Sequence, residues 1–201
     1  PITGTEFVTG AEAKSETNEL HAPEKANPEN NQAFTVCFAM DYCHGENHVI
    51  EKPAEYDFWK SFIPEMAAPW SGKLLSLSYS NPKTLEPKEL AFHPEGINTG
   101  DKLNLWNYRR IISKDNFTTG SYGSDITIVN WPQNDYFLGN LIGASEKEFE
   151  RHVERGKQLS LSLLYWLQTE APRPDGGKGW PGIRFRKDIM GTADGFAKYP
   201  Y

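Results

Sequence analysis

The residues of this chain best suited to chemistry lie in its last third. Asn130-Trp131-Pro132-Gln133-Asn134-Asp135-Tyr136 puts amides, a carboxylate, an indole and a phenol into seven positions at the end of a strand-like run. Such a set can hydrogen-bond a small polar or polyhydroxylated ligand, with Trp131 or Tyr136 supplying an apolar face. The same residues also suit a capped turn in which Asn134 and Asp135 bond neighbouring backbone. Asn130, Trp131, Gln133, Asn134, Asp135 and Tyr136 are therefore the first candidates for binding a substrate. Arg184 and Arg186 are the second, because guanidinium groups fork onto carboxylates or phosphates. They stand among Glu170, Arg173, Asp175 and Asp188, so an ion-pair network that holds the loop down is the competing use.

Gly177-Lys178-Gly179-Trp180-Pro181-Gly182 matches the dinucleotide pattern G-x-G-x-x-G letter for letter. A working motif follows a strand and opens a helix, whose first N–H groups meet the pyrophosphate. Here the run follows a predicted helix, Pro181 removes an N–H, and a strand-like fragment comes next. No nucleotide-binding fold is expected from it. Cys43, His44 and His48 cluster at a predicted turn, but the spacing offers no fourth zinc ligand, and no metal is expected. Cys37 reads as a small buried hydrophobe. No Ser/His/Asp or Cys/His set has the spacing of a nucleophile and its base, and no general base stands out.

The elements that must position these groups follow from periodicity. From Ala33 to Asp41, Phe34, Val36 and Phe38 alternate with Thr35, Cys37 and Ala39, which is a strand with a buried face. His44-Gly45-Glu46-Asn47 predicts a turn into a second strand over His48 to Glu51. Pro53 to Ile63 has helical spacing and stops at Pro64. Further strands are predicted at Leu74 to Tyr79, Leu103 to Ile112, Ile126 to Trp131 and Ile183 to Arg186, with a short one at Glu6 to Thr9. Ser145 and Glu148 form a capping box, and helix signals continue to Thr169. Phe149, Val153, Gly156, Leu159, Leu163 and Leu167 trace one face, and beyond Leu159 the helix is apolar nearly all round, so its second half should be buried. Residues 1–31 read as an irregular lead-in, 80–101 as a Pro/Gly-punctuated connection and 171–201 as a Pro/Gly-rich tail. Without regular βαβ alternation, the fold class is α+β: a mostly antiparallel, loop-rich sheet with one long buried helix and one short amphipathic helix, in a single domain over residues 1–201.

Composition limits the partners. Net charge is −6, which gives no broad reason to bind nucleic acid, and no apolar run approaches the ~18 residues of a membrane span. Only 38% of residues are hydrophobic, so the core must lean on large aromatics: 6 Trp, 9 Tyr and 11 Phe. The basic clusters Arg109-Arg110 and Arg184 to Lys187 are local, either solvated surface or anion sites. The chain opens on Pro1 without an initiator Met and reads as an excised or processed piece of a longer one.

Four segments, taken in order, resemble the middle of a family of bacterial FAD-dependent oxidoreductases: Asn31 to Asp41, Leu105 to Ile111, Asn130 to Tyr136 and Leu167 to Asp188. Pro1 to Ala13 resembles the point where that family leaves its first nucleotide-binding portion, and Tyr199 to Tyr201 the point where it is about to return. The resemblance implies a substrate-binding or cap portion that covers the flavin and shapes a pocket for a small polar substrate. FAD would belong to the parent enzyme, held by an FAD-binding domain of the same parent chain and not by this fragment alone. The implied reaction is hydride transfer to FAD from a C–H next to a hydroxyl or amine. The competing reading is a carbohydrate- or ligand-binding module without redox activity.

Overall fold

Serine 145 opens the longest helix by accepting the Glu148 N–H on its Oγ at 3.4 Å, while Glu148 Oε2 accepts the Ser145 N–H at 3.3 Å. The computed structural model describes residues 3–66, 70, 72–96 and 99–201, so Pro1 and Ile2 of the opening motif and Ile97 and Asn98 of the punctuated connection lie outside the described residues. In chain order the elements are α1 (Lys14–Thr17), β1 (Phe34–Thr35), β2 (Phe38–Tyr42), α2 (Tyr56–Ser61), β3 (Ser78–Ser80), β4 (Pro87–Glu89), α3 (Leu105–Tyr108), β5 (Arg110–Ile112), β6 (Ile126–Val129), β7 (Asp135–Tyr136), α4 (Glu146–Thr169) and β8 (Ile183–Phe185). This is the expected α+β class with antiparallel pairing throughout its sheets.

Strand β2 is central in a four-stranded sheet ordered β5-β6-β2-β8. Phe38 lies opposite Val129 on one side, and Asp41 opposite Arg184 on the other. The β1–β7 pair, with Thr35 opposite Asp135, continues the same run of chain. After β8 the tail returns along this edge: Ala197 N–H donates to Cys37 O, and Thr35 and Tyr201 exchange backbone bonds, each at 2.8 Å.

The 24 residues of α4 span about 36 Å and lie across one face of this sheet. Close approach is permitted by Gly156, where an added Cβ would sit 2.9 Å from both Phe34 Cε2 and Val36 Cγ2. One turn on, Ser160 Oγ donates to Val36 O at 2.7 Å. Near the helix end the buried Gln168 donates to His48 O and Ile183 O and accepts from Ile50 N–H, which ties three stretches of chain together. Leu159, Leu163, Leu164 and Leu167 fill the space between, with Trp59 and Tyr56 of α2 joining the same apolar cluster.

Four local expectations fail, each for a physical reason. Leu103 to Ile112 is not one strand. Asn104 Oδ1 accepts from Trp106 N–H and His93 N–H, which caps α3, and Leu105 and Trp106 are both buried, which one strand face cannot achieve for adjacent residues. His48 to Glu51 is not a hairpin strand: β8 occupies that edge of β2, and His48 N–H goes to Pro181 O instead. Leu74 and Leu75 both point inward, so β3 begins only at Ser78. Glu6 to Thr9 forms no strand, and Phe7 and Val8 are exposed.

Gly156→Ala sets helix propensity, worth about 1 kcal/mol in favour of Ala, against overpacking of about 1–3 kcal/mol. The expected outcome is a lower urea midpoint, because Phe34 and Val36 are both buried and cannot swing aside. A raised midpoint would mean that α4 does not sit at glycine distance from the sheet.

Candidate functional site

Because α4 takes one face, side-chain alternation sends a different set to the other. Phe38 and Met40 of β2 belong to the main apolar cluster, so Ala39 and Asp41 point away from it. Their partners across the sheet, Ile128 and Ile126 on β6 and Arg184 on β8, share that second face. Ala39 and Ile126 are buried yet lie outside the main cluster, and Ile128 is half-buried. Cys37 and Asn130 continue the alternation at one end of the face, where the Thr35 and Asp135 pair closes it.

The two ends differ in how their polar groups are satisfied. At one end Asp41, 3% exposed, accepts from Arg184 Nε at 3.0 Å, Arg184 Nη2 at 2.6 Å and Arg186 Nη1 at 2.8 Å. Arg186 also forks onto Asp188 at 2.9 and 2.7 Å. Hydrogen bonds to Asp188 and Asp41 push the Arg186 guanidinium up, and the Asp41 bond does the same for Arg184, so both stay charged. The ion-pair network foreseen for this loop is therefore real, although Arg184 keeps a half-exposed side chain.

At the other end Thr35 Oγ1 donates to Asp135 Oδ1. Burial raises the Asp135 carboxyl above its ordinary range, partly offset by that bond. The Cys37 thiol is pushed up to about 11 by burial, with Asp135 raising it further and Arg109 lowering it, which places both charges within electrostatic reach. Arg109 is exposed, its guanidinium 5.0 Å from the Tyr108 ring centroid, and it has no ion pair among the described residues. The half-buried Asn130 side chain likewise has no hydrogen-bond partner among them. Arg109, Asn130 and Asp135 thus gather at the accessible end of a face whose centre, at Ala39 and Ile126, is covered by protein.

The remaining sequence candidates are inside the protein. Trp131, Gln133, Asn134 and Tyr136 are at most 1% exposed. Asn134 accepts from Trp131 N–H at 2.9 Å and donates to Ser160 Oγ at 3.2 Å, which pins the turn at Pro132–Asn134 to α4. Gln133 Nε2 donates to Ser78 O at 3.3 Å. Tyr136 OH meets His152 Nδ1 at 2.9 Å. These four fix the turn between β6 and β7, which leaves Asn130 before it and Asp135 after it half-buried at the end of the second face. Sequence reasoning missed Cys37 and Asp41 as members of that face, for which the small and polar half of the Ala33 to Asp41 alternation was the signal, whereas Arg109 was legible as part of a basic cluster open to an anion.

The glycine-rich run behaves as a turn. Pro172 bridges Lys178, Trp180 N–H donates to Leu167 O at 2.9 Å, and β8 follows, not a helix. Helix α4 has its own N-terminal donors capped by Ser145. Among the described residues no helix is long and apolar enough to cross a membrane. The family model described as FAD dependent oxidoreductase matches residues 1–201. No curated protein and no solved structure matches the chain.

The burial of His152 sets a pH dependence. Burial, then Arg151, holds the His152 imidazole below its ordinary 6.5, so the fold keeps the ring neutral. As pH falls below about 6.5 the unfolded chain takes up this proton first, and stability declines through the lower folded value. The urea midpoint should fall on acidification in that window, more steeply than in His152→Gln. Equal slopes would show that the ring is not held neutral.

Proposed function

The chain belongs to the FAD dependent oxidoreductase family, and we propose that residues 1–201 act as one substrate-binding, cap-like unit that turns the Arg109 and Asn130 end of its second sheet face toward the flavin. The observation that carries this reading is the unsatisfied end of that face. Arg109 and Asn130 are donors without protein partners among the described residues, set beside Cys37, Ala39 and Ile128. Such a surface suits a small polar substrate with an acceptor group, a carboxylate above all, and a modest apolar body.

FAD, when bound, supplies the hydride acceptor; its phosphates would be held by the FAD-binding domain of the same parent chain. On this chain Arg109 and Asn130 orient the substrate, the half-buried Ile128 offers it an apolar contact, and Asp135, whose basicity burial raises, is placed to take a proton from a hydroxyl or amine. Arg184 offers its exposed guanidinium edge at the far end of the same face. Trp131, Gln133, Asn134 and Tyr136 serve as the rigid backing.

Benzoate, a small carboxylate with an apolar body, is a direct probe. Titrated into the FAD-loaded enzyme it should perturb the flavin absorbance saturably, and Arg109→Met should weaken its binding by about 10-fold or more, the loss of one charged hydrogen bond of about 1.5–3 kcal/mol, with FAD content unchanged. Unchanged benzoate affinity, or loss of FAD, would move the substrate site off this face.

A further inference from the structure

We propose a second site, separate from the sheet face: the turn from Cys43 to His48 is a three-ligand site for a divalent metal of the zinc type. The ligand atoms of Cys43, Glu46 and His48 all lie within 4.8 Å of one another. His48 Nε2 and Glu46 Oε2 are already 2.6 Å apart. Tetrahedral zinc with one sulfur, one nitrogen and one oxygen ligand spaces its donors by roughly 3.5 Å, so side-chain rotations of about 1 Å complete the triad. A fourth position would remain open to water, because Cys43 and His48 are half-buried and Glu46 is exposed. His44 is not part of it: its Nδ1 turns to Glu95 at 3.2 Å.

What distinguishes this turn from a chance cluster is how firmly its backbone is held. Cys43 N–H donates to Gly182 O and His48 N–H to Pro181 O, both at 2.8 Å. His48 O also accepts from the buried Gln168 at 2.7 Å. Gly182 is required for this clamp, since a Cβ there would run into Cys43 O. Gly45, with φ of 78°, then closes the turn tightly enough for Glu46 N–H to donate to Cys43 O at 3.2 Å. The sequence Trp180-Pro181-Gly182 thus acquires a role as the fixed rail on which two of the three ligands are mounted. Preorganised ligands lose little freedom on binding, which favours capture of an ion. The metal displaces the thiol proton to solvent, and His48 ligates through Nε2 as the neutral tautomer that carries its N–H on Nδ1.

Cobalt(II) is the probe, because a cobalt–thiolate bond absorbs in the near ultraviolet where zinc is silent. Titration of the reduced protein should give one equivalent of bound cobalt with that band, displaced by zinc. Cys43→Ser should abolish the band, and Glu46→Gln or His48→Gln should weaken binding at least about 10-fold, as even outer-shell losses do. Cys37→Ser is the control and should keep it, since Cys37 is the other thiol and lies on the sheet. Retention of circular dichroism in each variant shows that folding is intact. No band in the folded wild-type protein, or a band that survives Cys43→Ser, overturns the proposal.

Discussion

The close seating of α4 on the β1–β2 run governs the rest of the molecule. Gly156 removes the side chain that would hold the helix off Phe34 and Val36, Ser160 bonds Val36 O, and Gln168 fastens the far end to three backbone groups. Buried amides and hydroxyls stabilise a single register only if every group finds its partner, and those of Ser160 and Gln168 do. With that face of the sheet closed by leucines and tryptophans, Ala39 and Asp41 of β2 and Arg184 of β8 fall on the opposite face, together with Ile126 and Ile128 of β6.

On that face charge is handled in two ways. Asp41 is buried and would be costly if unpaired, so Arg184 and Arg186 surround it, and Asp188 balances the second cation. This end resists rearrangement. Arg109 and Asn130 at the other end have no such partners among the described residues, and nearby Asp135 is satisfied only by Thr35. A surface that fixes one end and leaves donors free at the other can position a ligand without moving itself.

Local signals were legible where one residue decides one bond. The capping box of Ser145 and Glu148, the helical face through Leu159, Leu163 and Leu167, and the β-branched run from Ile126 all appear as read. The G-x-G-x-x-G letters of Gly177 to Gly182 were rightly set aside, since the required helix does not follow. Illegible features depend on partners distant in sequence. Nothing in His48 to Glu51 says that Pro181 and Gln168 will take its backbone bonds, and nothing in Leu103 to Ile112 says that His93 will recruit Asn104. For the same reason the loop from Asn130 to Tyr136 looked like one polar cluster, whereas Asn134, Gln133 and Tyr136 turn inward to Ser160, Ser78 and His152.

The family supplies the flavin, and the fold supplies a face with one closed and one open end. Their meeting is the central claim, and a crystal structure of the FAD-loaded enzyme tests it most directly. The isoalloxazine ring should lie at the end of the face marked by Ile128 and Asn130, with Arg109 within reach of its substrate side and α4 on the far side of the sheet. A ring found elsewhere, such as at the cleft of about 760 Å³ lined by Asn30, Asn31 and Asn140, with Arg109 and Asn130 far from it, would contradict the account.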